Sequence, residues 1–261
     1  MVWKKQQLFL RFLRDESMYE FYDNLVSPKT LKQARHQLQN IYNDVPETIG
    51  CMENLYKGAK CGSWCCEHQF PSLYYSEFLN TWNTVINTWS RDKIAELIAS
   101  CIRQYFDDAP TKSCVFWNKD TKLCSQHTTR PLACRIYGQE PHEEFKPKYE
   151  RLKILYQNDS RAVIREQCSL VKTKGKPPTK QQIEQWDKEI KLVEEDIGIS
   201  RSVMTDANGG SYRSYKDHIL LQIGKPIFLN QLQDLRMSGN KEEQERFVQT
   251  FINDFEMSML K

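Results

Sequence analysis

Apolar residues recur every three or four positions through several stretches of this chain, which is the spacing of one buried face on an α-helix. Leu31, Ala34, Leu38 and Ile41 form one such stripe, and Leu79, Trp82, Val85, Ile86 and Trp89 form a second. A third runs through Ile94, Leu97, Ile98, Cys101, Ile102 and Tyr105, behind Ser90, a residue type that caps helix N-termini. Thr179 and Gln182 have the spacing of a capping box for a helix striped by Ile183, Trp186, Ile190 and Val193, and Gly198 is placed to stop it. From about Asn240 a last helix carries Phe247, Phe251 and Phe255 on one face. Long strand-like alternation and internal repeats are absent from the sequence.

Interruptions of this pattern set the organisation. "KTKGKPPTK", with its glycine and paired prolines, predicts an exposed linker over residues 172–180. Residues 1–50 read as N-terminal helices, 51–171 as a cysteine-rich region and 181–261 as a C-terminal helical region. Within the last, "TDANGGSYRSY" reads as a loop and "HILLQIGKPIFL" as short apolar runs. The opening "MVWKKQQLFLRFLRDE" is interrupted by Gln6, Gln7 and Arg11, so it predicts an amphipathic helix rather than a leader peptide.

Composition adds limits. With 261 residues, 39% hydrophobic and 27% charged, the chain can bury an ordinary core without cross-links. A net charge of +3 falls short of the basic balance that nucleic-acid binding requires, although "KTKGKPPTK" and "YRSYK" interleave basic and aromatic residues. No run approaches the ~20 apolar residues that span a bilayer. The expected setting is cytoplasmic, with a protein partner or protein substrate and neither membrane nor nucleic acid.

Nine cysteines change the picture, standing at 51, 61, 65, 66, 101, 114, 124, 134 and 168. Cys101 sits on a helical stripe and reads as a small core hydrophobe. The early group, ending in "CGSWCC", is C-x9-C-x3-C-C; the middle group is C-x9-C-x9-C in "CVFWNKDTKLCSQHTTRPLAC". Thiolates on loops can bend toward one centre, which suits zinc or iron–sulfur clusters, and a reducing compartment argues against disulfides. The expected metal ligands are Cys51, Cys61, Cys65, Cys66, Cys114, Cys124, Cys134 and Cys168, a number that makes two sets of four.

These residues resemble the YkgJ-type cysteine-cluster family, a zinc- or iron-chelating domain type that includes the flagellin lysine N-methylase. The resemblance covers residues 51 to about 170 and rests on the Cys65–Cys66 pair, then Cys114, Phe116, Cys124, Arg130, Pro131, Cys134 and Arg135. It implies an acidic residue in the helix after the pair, here Glu77, and a further downstream cysteine, here Cys168. The opening departs from the family's tight C-x2-C-x2-C-C, which sets Cys51 apart from the rest.

Arg130 and Arg135 flank Cys134, and Trp64, Phe116, Trp117 and Tyr137 supply bulk. Positive charge stabilises an anionic thiolate-ligated cluster, so one or two [4Fe-4S] clusters are favoured over zinc as a structural staple. His68 and His127 stand beside the cysteines, as alternative ligands or proton carriers around the metal. His36, His142 and His218 have no such neighbourhood, and a Cys66–His68 nucleophile lacks an orienting residue. The resemblance to the methylase implies methyl transfer from S-adenosylmethionine. Yet Gly209 and Gly210 read as a simple turn, and no CxxxCxxC triplet is present. The fold expected is mainly α, a helical domain with an irregular, loop-rich, cysteine-ligated core. The sequence leaves open whether the chain is a methyltransferase or a redox component of a larger enzyme system.

Overall fold

The computed structural model describes residues 26–47, 64–68, 70–164, 171, 173–199, 211–224 and 226–258. The chain is mainly helical, as its periodicity predicts, and divides into two compact units. One unit comprises residues 1–28, 82–108 and 216–261; the other comprises residues 29–81 and 109–215. The expected helix over the first sixteen residues, and Cys51, Cys61 and Cys168, lie outside the described residues.

In chain order the helices are α1 (Pro28–Asp44), α2 (Trp64–Glu67), α3 (Tyr75–Thr88), α4 (Arg91–Phe106), α5 (Leu132–Arg135), α6 (His142–Leu155) and α7 (Lys180–Asp196). After these come α8 (Tyr215–Ile223), α9 (Pro226–Ser238) and α10 (Lys241–Ser258). Among the described residues four two-residue strands, β1 (Ser72–Leu73), β2 (Trp117–Asn118), β3 (Leu123–Cys124) and β4 (Arg213–Ser214), pair as β1–β4 and β2–β3.

The first unit is built on α4, which packs against α9 and α10. Ser90 caps α4 by accepting the Lys93 N–H at 3.4 Å. The apolar face buries Ile94, Leu97, Ile98, Cys101 and Ile102, so Cys101 is a core residue. Phe106 meets Phe247 edge-on at 6.5 Å, and Phe228 lies 6.0 Å from Phe247 and 6.2 Å from Phe251. Such aromatic contacts contribute about 0.5–1.5 kcal/mol each beyond area burial. Arg103 donates to both carboxylate oxygens of Glu245, at 3.2 and 3.0 Å.

The second unit holds the cysteine loops. α1 buries Ala34, Leu38, Ile41 and Tyr42, the predicted stripe carried one residue further. The capping box on α7 is present, with Thr179 and Gln182 each bonding the other's backbone N–H. Gly198 ends α7 at φ +92°, where its N–H bonds Glu195 O and the Ile199 N–H bonds Glu194 O. That is the two-bond glycine stop, which needs a left-handed residue. One stripe departs from expectation: Ile86 is 47% exposed. It follows fully buried Val85, and one residue turns a helix by ~100°.

Candidate metal centre

Local turns bring the cysteine loops of the second unit together. The Cys114 N–H donates to the Cys66 carbonyl at 2.6 Å, which joins the middle group to the early Cys–Cys pair. β2 and β3 then form a hairpin whose register sets Trp117 opposite Cys124. Asn118 Oδ1 accepts the N–H groups of Asp120 and Thr121 at 2.9 and 2.8 Å, and Lys122 takes a left-handed φ of +57° to close the turn. This hairpin folds back the nine-residue spacer between Cys114 and Cys124. Cys134 follows on α5, after Pro131.

A buried carboxylate anchors α5. Glu77, 2% exposed on α3, accepts from Tyr42 Oη at 2.8 Å, the Tyr74 N–H at 3.1 Å and the Leu132 N–H at 2.7 Å. Leu132 is the first residue of α5, so Glu77 satisfies an N-terminal amide of the turn that carries Cys134. Burial outweighs these three bonds and pushes the Glu77 carboxyl up to about 7, with the nearby Glu194 adding to the rise. Glu194 is itself fully buried on α7 and accepts the Ser76 N–H at 2.5 Å. Its carboxyl is also raised by burial, against the opposing effect of Ser76 and Ser211.

Arg135 is fixed rather than solvated. Its Nε donates to Arg130 O and its Nη2 to Thr128 O, both at 2.9 Å, and its guanidinium lies 4.1 Å from the Tyr42 ring centre. Burial lowers the guanidinium from its ordinary value, with Arg130 adding to the fall and Tyr42, Glu77 and Cys134 opposing it. His127, which opens the short 3-10 turn before Arg130, is pushed down to about 4 by burial and then by Arg130 and Arg135. Its imidazole is neutral at pH 7, the form in which histidine ligates metals. His68 Nε2 stands 3.6 Å from Glu67 Oε2.

Two residues that the sequence placed in a plain loop close the site. β1–β4 pairing, with Ser72 opposite Ser214, brings in Tyr212 and Tyr215. Burial first, and then Cys134, raise the Tyr215 phenol well above its ordinary range, with smaller contributions from Cys114 and Cys124 and against the opposing hydrogen bond with Thr81. Desolvation, Glu77, Asp187 and Cys134 push Tyr212 up to about 12. Its ring centre lies 4.8 Å from that of Tyr74, whose hydroxyl donates to Asp187 at 2.9 Å.

Cys66, Cys114, Cys124 and Cys134 stand as thiols rather than disulfides, as does Cys101. Cys65 lies on α2, and its side chain is outside the described residues. Soft sulfur donors on convergent loops, one turn held on a buried carboxylate and a fixed cation beside it, suit a thiophilic metal. Trp117, opposite Cys124, adds a buried indole N–H that finds no hydrogen-bond acceptor. Side chains directly opposite in an antiparallel pair share one face, so Trp117 and Cys124 lie on the same face of the hairpin. Among the described residues no group of three or more Cys, His, Asp or Glu side chains is by itself arranged to hold a metal ion.

The fold is that of a mainly helical protein whose second unit carries the cysteine loops. Residues 57–169 match the CxxCxxCC family, described as "Putative zinc- or iron-chelating domain", and this segment belongs to that family, the YkgJ type. The match holds Cys61 to Cys168 and leaves Cys51 outside, and it does not single out the flagellin methylase branch. No curated protein and no solved structure matches the chain. Tyr42, Glu194, Tyr212 and Tyr215 all lie beyond the matched segment.

Proposed function

We propose that the chain carries an iron–sulfur centre, one or two [4Fe-4S] clusters, on Cys51, Cys61, Cys65, Cys66, Cys114, Cys124, Cys134 and Cys168. It serves as a cytoplasmic redox or protein-modifying component that works with a protein partner or substrate. Metal chelation as such follows from the family. The observation that favours iron–sulfur is Arg135, a cation locked by two carbonyls and next in the chain to Cys134. Fixed positive charge stabilises a net-anionic thiolate cluster and raises its potential.

A bound [4Fe-4S] cluster supplies one-electron chemistry. The chain's own residues hold and shield it: Glu77 fixes the Cys134 turn, the β2–β3 hairpin fixes Cys124, and Phe116 and Tyr215 exclude water. Among the described residues no helix is long and apolar enough to cross a membrane. Protein purified without oxygen is expected to be brown and to contain iron with acid-labile sulfide, with Mössbauer spectra giving the cluster number. Colourless protein with stoichiometric zinc under the same conditions overturns the iron–sulfur assignment.

A further inference from the structure

Glu194 on α7 is sealed from solvent, and its Oε1 accepts the Ser76 N–H at 2.5 Å in the first turn of α3. Its second oxygen, Oε2, is buried and meets no donor among the described residues. Two more buried oxygens share that condition, Ser76 Oγ and Ser211 Oγ, on residues 1% and 5% exposed. Ser76 Oγ belongs to the residue whose amide Glu194 holds, which confines it to the neighbourhood of the carboxylate. Ser211 arrives through the strand pairing. Ser72 faces Ser214 and Leu73 faces Arg213, the Tyr74 and Tyr212 rings continue the register at 4.8 Å, and the next residues across are Tyr75 and Ser211. Burial raises the Glu194 carboxyl and both seryl hydroxyls oppose the rise, so the three groups are neighbours. A hydroxyl that touches a carboxylate oxygen donates to it. Neither does so here, and the three oxygens adjoin one another without direct bonds.

We propose that Glu194 Oε2, Ser76 Oγ and Ser211 Oγ hold one enclosed water molecule, which ties α7 to the first turn of α3 and to the residues that lead into β4. Unpaired oxygens in a dry interior are costly, and a buried water makes about three hydrogen bonds to such groups. It donates to the carboxylate and accepts from a seryl hydroxyl. A hard metal cation suits the place less well, because it collects about six or more oxygens. The site needs none of the cysteines, so it stands whether or not they are metal ligands.

Magnetic relaxation dispersion of the water oxygen counts long-lived internal waters in the full chain. Ser76→Ala combined with Ser211→Ala is expected to lose one, and Glu194→Met, an apolar replacement of similar size, to lose the same one. Stability supplies an independent sign. Deleting a hydroxyl that is buried and dry removes a cost and raises the urea midpoint, whereas deleting one bonded to water lowers it. Ser211→Ala is therefore expected to lower the midpoint. Should the double variant not fold, Ser76→Ala and Ser211→Ala are each read by their midpoints. An unchanged water count in the double variant, or a midpoint that holds or rises in Ser211→Ala, overturns the proposal. A parent midpoint that changes when sodium or potassium replaces tetramethylammonium also overturns it, since that marks a bound cation.

Discussion

Glu77 and Leu132, 55 residues apart, are joined by a hydrogen bond of 2.7 Å from the Leu132 N–H to Glu77 Oε1. Because Tyr42 and Tyr74 also donate to this carboxylate, it meets donors on both oxygens. Glu77→Gln turns one acceptor into a donor, so a buried N–H or O–H then faces an N–H. The expected loss is about 1–3 kcal/mol of stability, the cost of leaving a buried polar group unsatisfied. Urea denaturation at fixed pH checks it: the midpoint falls while the slope with denaturant stays the same.

The same carboxylate makes stability depend on pH. Folding raises the Glu77 carboxyl from 4.5 to about 7. Between those values the folded chain keeps a proton that the unfolded chain releases, so this contribution is fully present below about pH 4.5 and is lost as pH rises toward 7. It amounts to at most about 3 kcal/mol. His127, lowered from 6.5 to about 4, has the opposite sign: its contribution is present above 6.5 and lost as pH falls toward 4. The two oppose each other across the same window. Urea melts from pH 4 to 8 should show stability rising with pH in Glu77→Gln and falling more steeply with pH in His127→Asn.

Arg135→Lys keeps the charge but loses the planar fork that reaches Arg130 O and Thr128 O and the stacking on Tyr42. Groups that orient a metal's ligands are worth about 10–100-fold in affinity. A roughly tenfold loss of metal affinity is expected, read by competition with a chromophoric chelator, with the helical content unchanged.

Gly138 has φ +77°, and a Cβ built on it stands 2.8 Å from Val171 Cβ and Cγ2. Gly138→Ala therefore incurs both left-handed backbone strain, about 1–2 kcal/mol, and a clash with Val171. Thermal melting should show a clear drop. Adding Val171→Ala restores the packing part and leaves the backbone part.

Cys101 and Cys114 are both buried, in different units and for different reasons. Cys101→Ala loses packing on α4, with a lower melting temperature and full metal content. Cys114→Ala lowers the metal content measured by elemental analysis. Equal metal content in the two variants would contradict the assignment of Cys114.

The helices were legible because burial follows period: Leu38, Val85, Ile98 and Ile190 lie on the sequence stripes and are at most 1% exposed. Ser90, Thr179 and Gly198 act as the sequence suggests, since capping chemistry is local. What escaped is non-local. Glu194 occupies the stripe of Trp186, Ile190 and Val193, but an acid there reads as solvated until the partner Ser76, far away in sequence, is known. Glu77 was reached only through the resemblance. Its burial could have been suspected because Thr81 and fully buried Val85 follow it at four-residue spacing. Tyr212 and Tyr215 escaped because a two-residue strand has no alternation to detect, and its pairing with Ser72–Leu73 leaves no local trace.

That pairing also fixes an order of events in the cell. The cysteines from Cys61 to Cys168 leave the ribosome well before Arg213–Ser214, the strand that must return to Ser72–Leu73. Closing so long a loop is an entropic cost met only once the later segment exists. During synthesis the thiols are therefore made and exposed for a time without their tyrosine cover. The described site closes only once Tyr215 has been made, so until then protection of its thiols from oxidation falls to the nascent chain's surroundings.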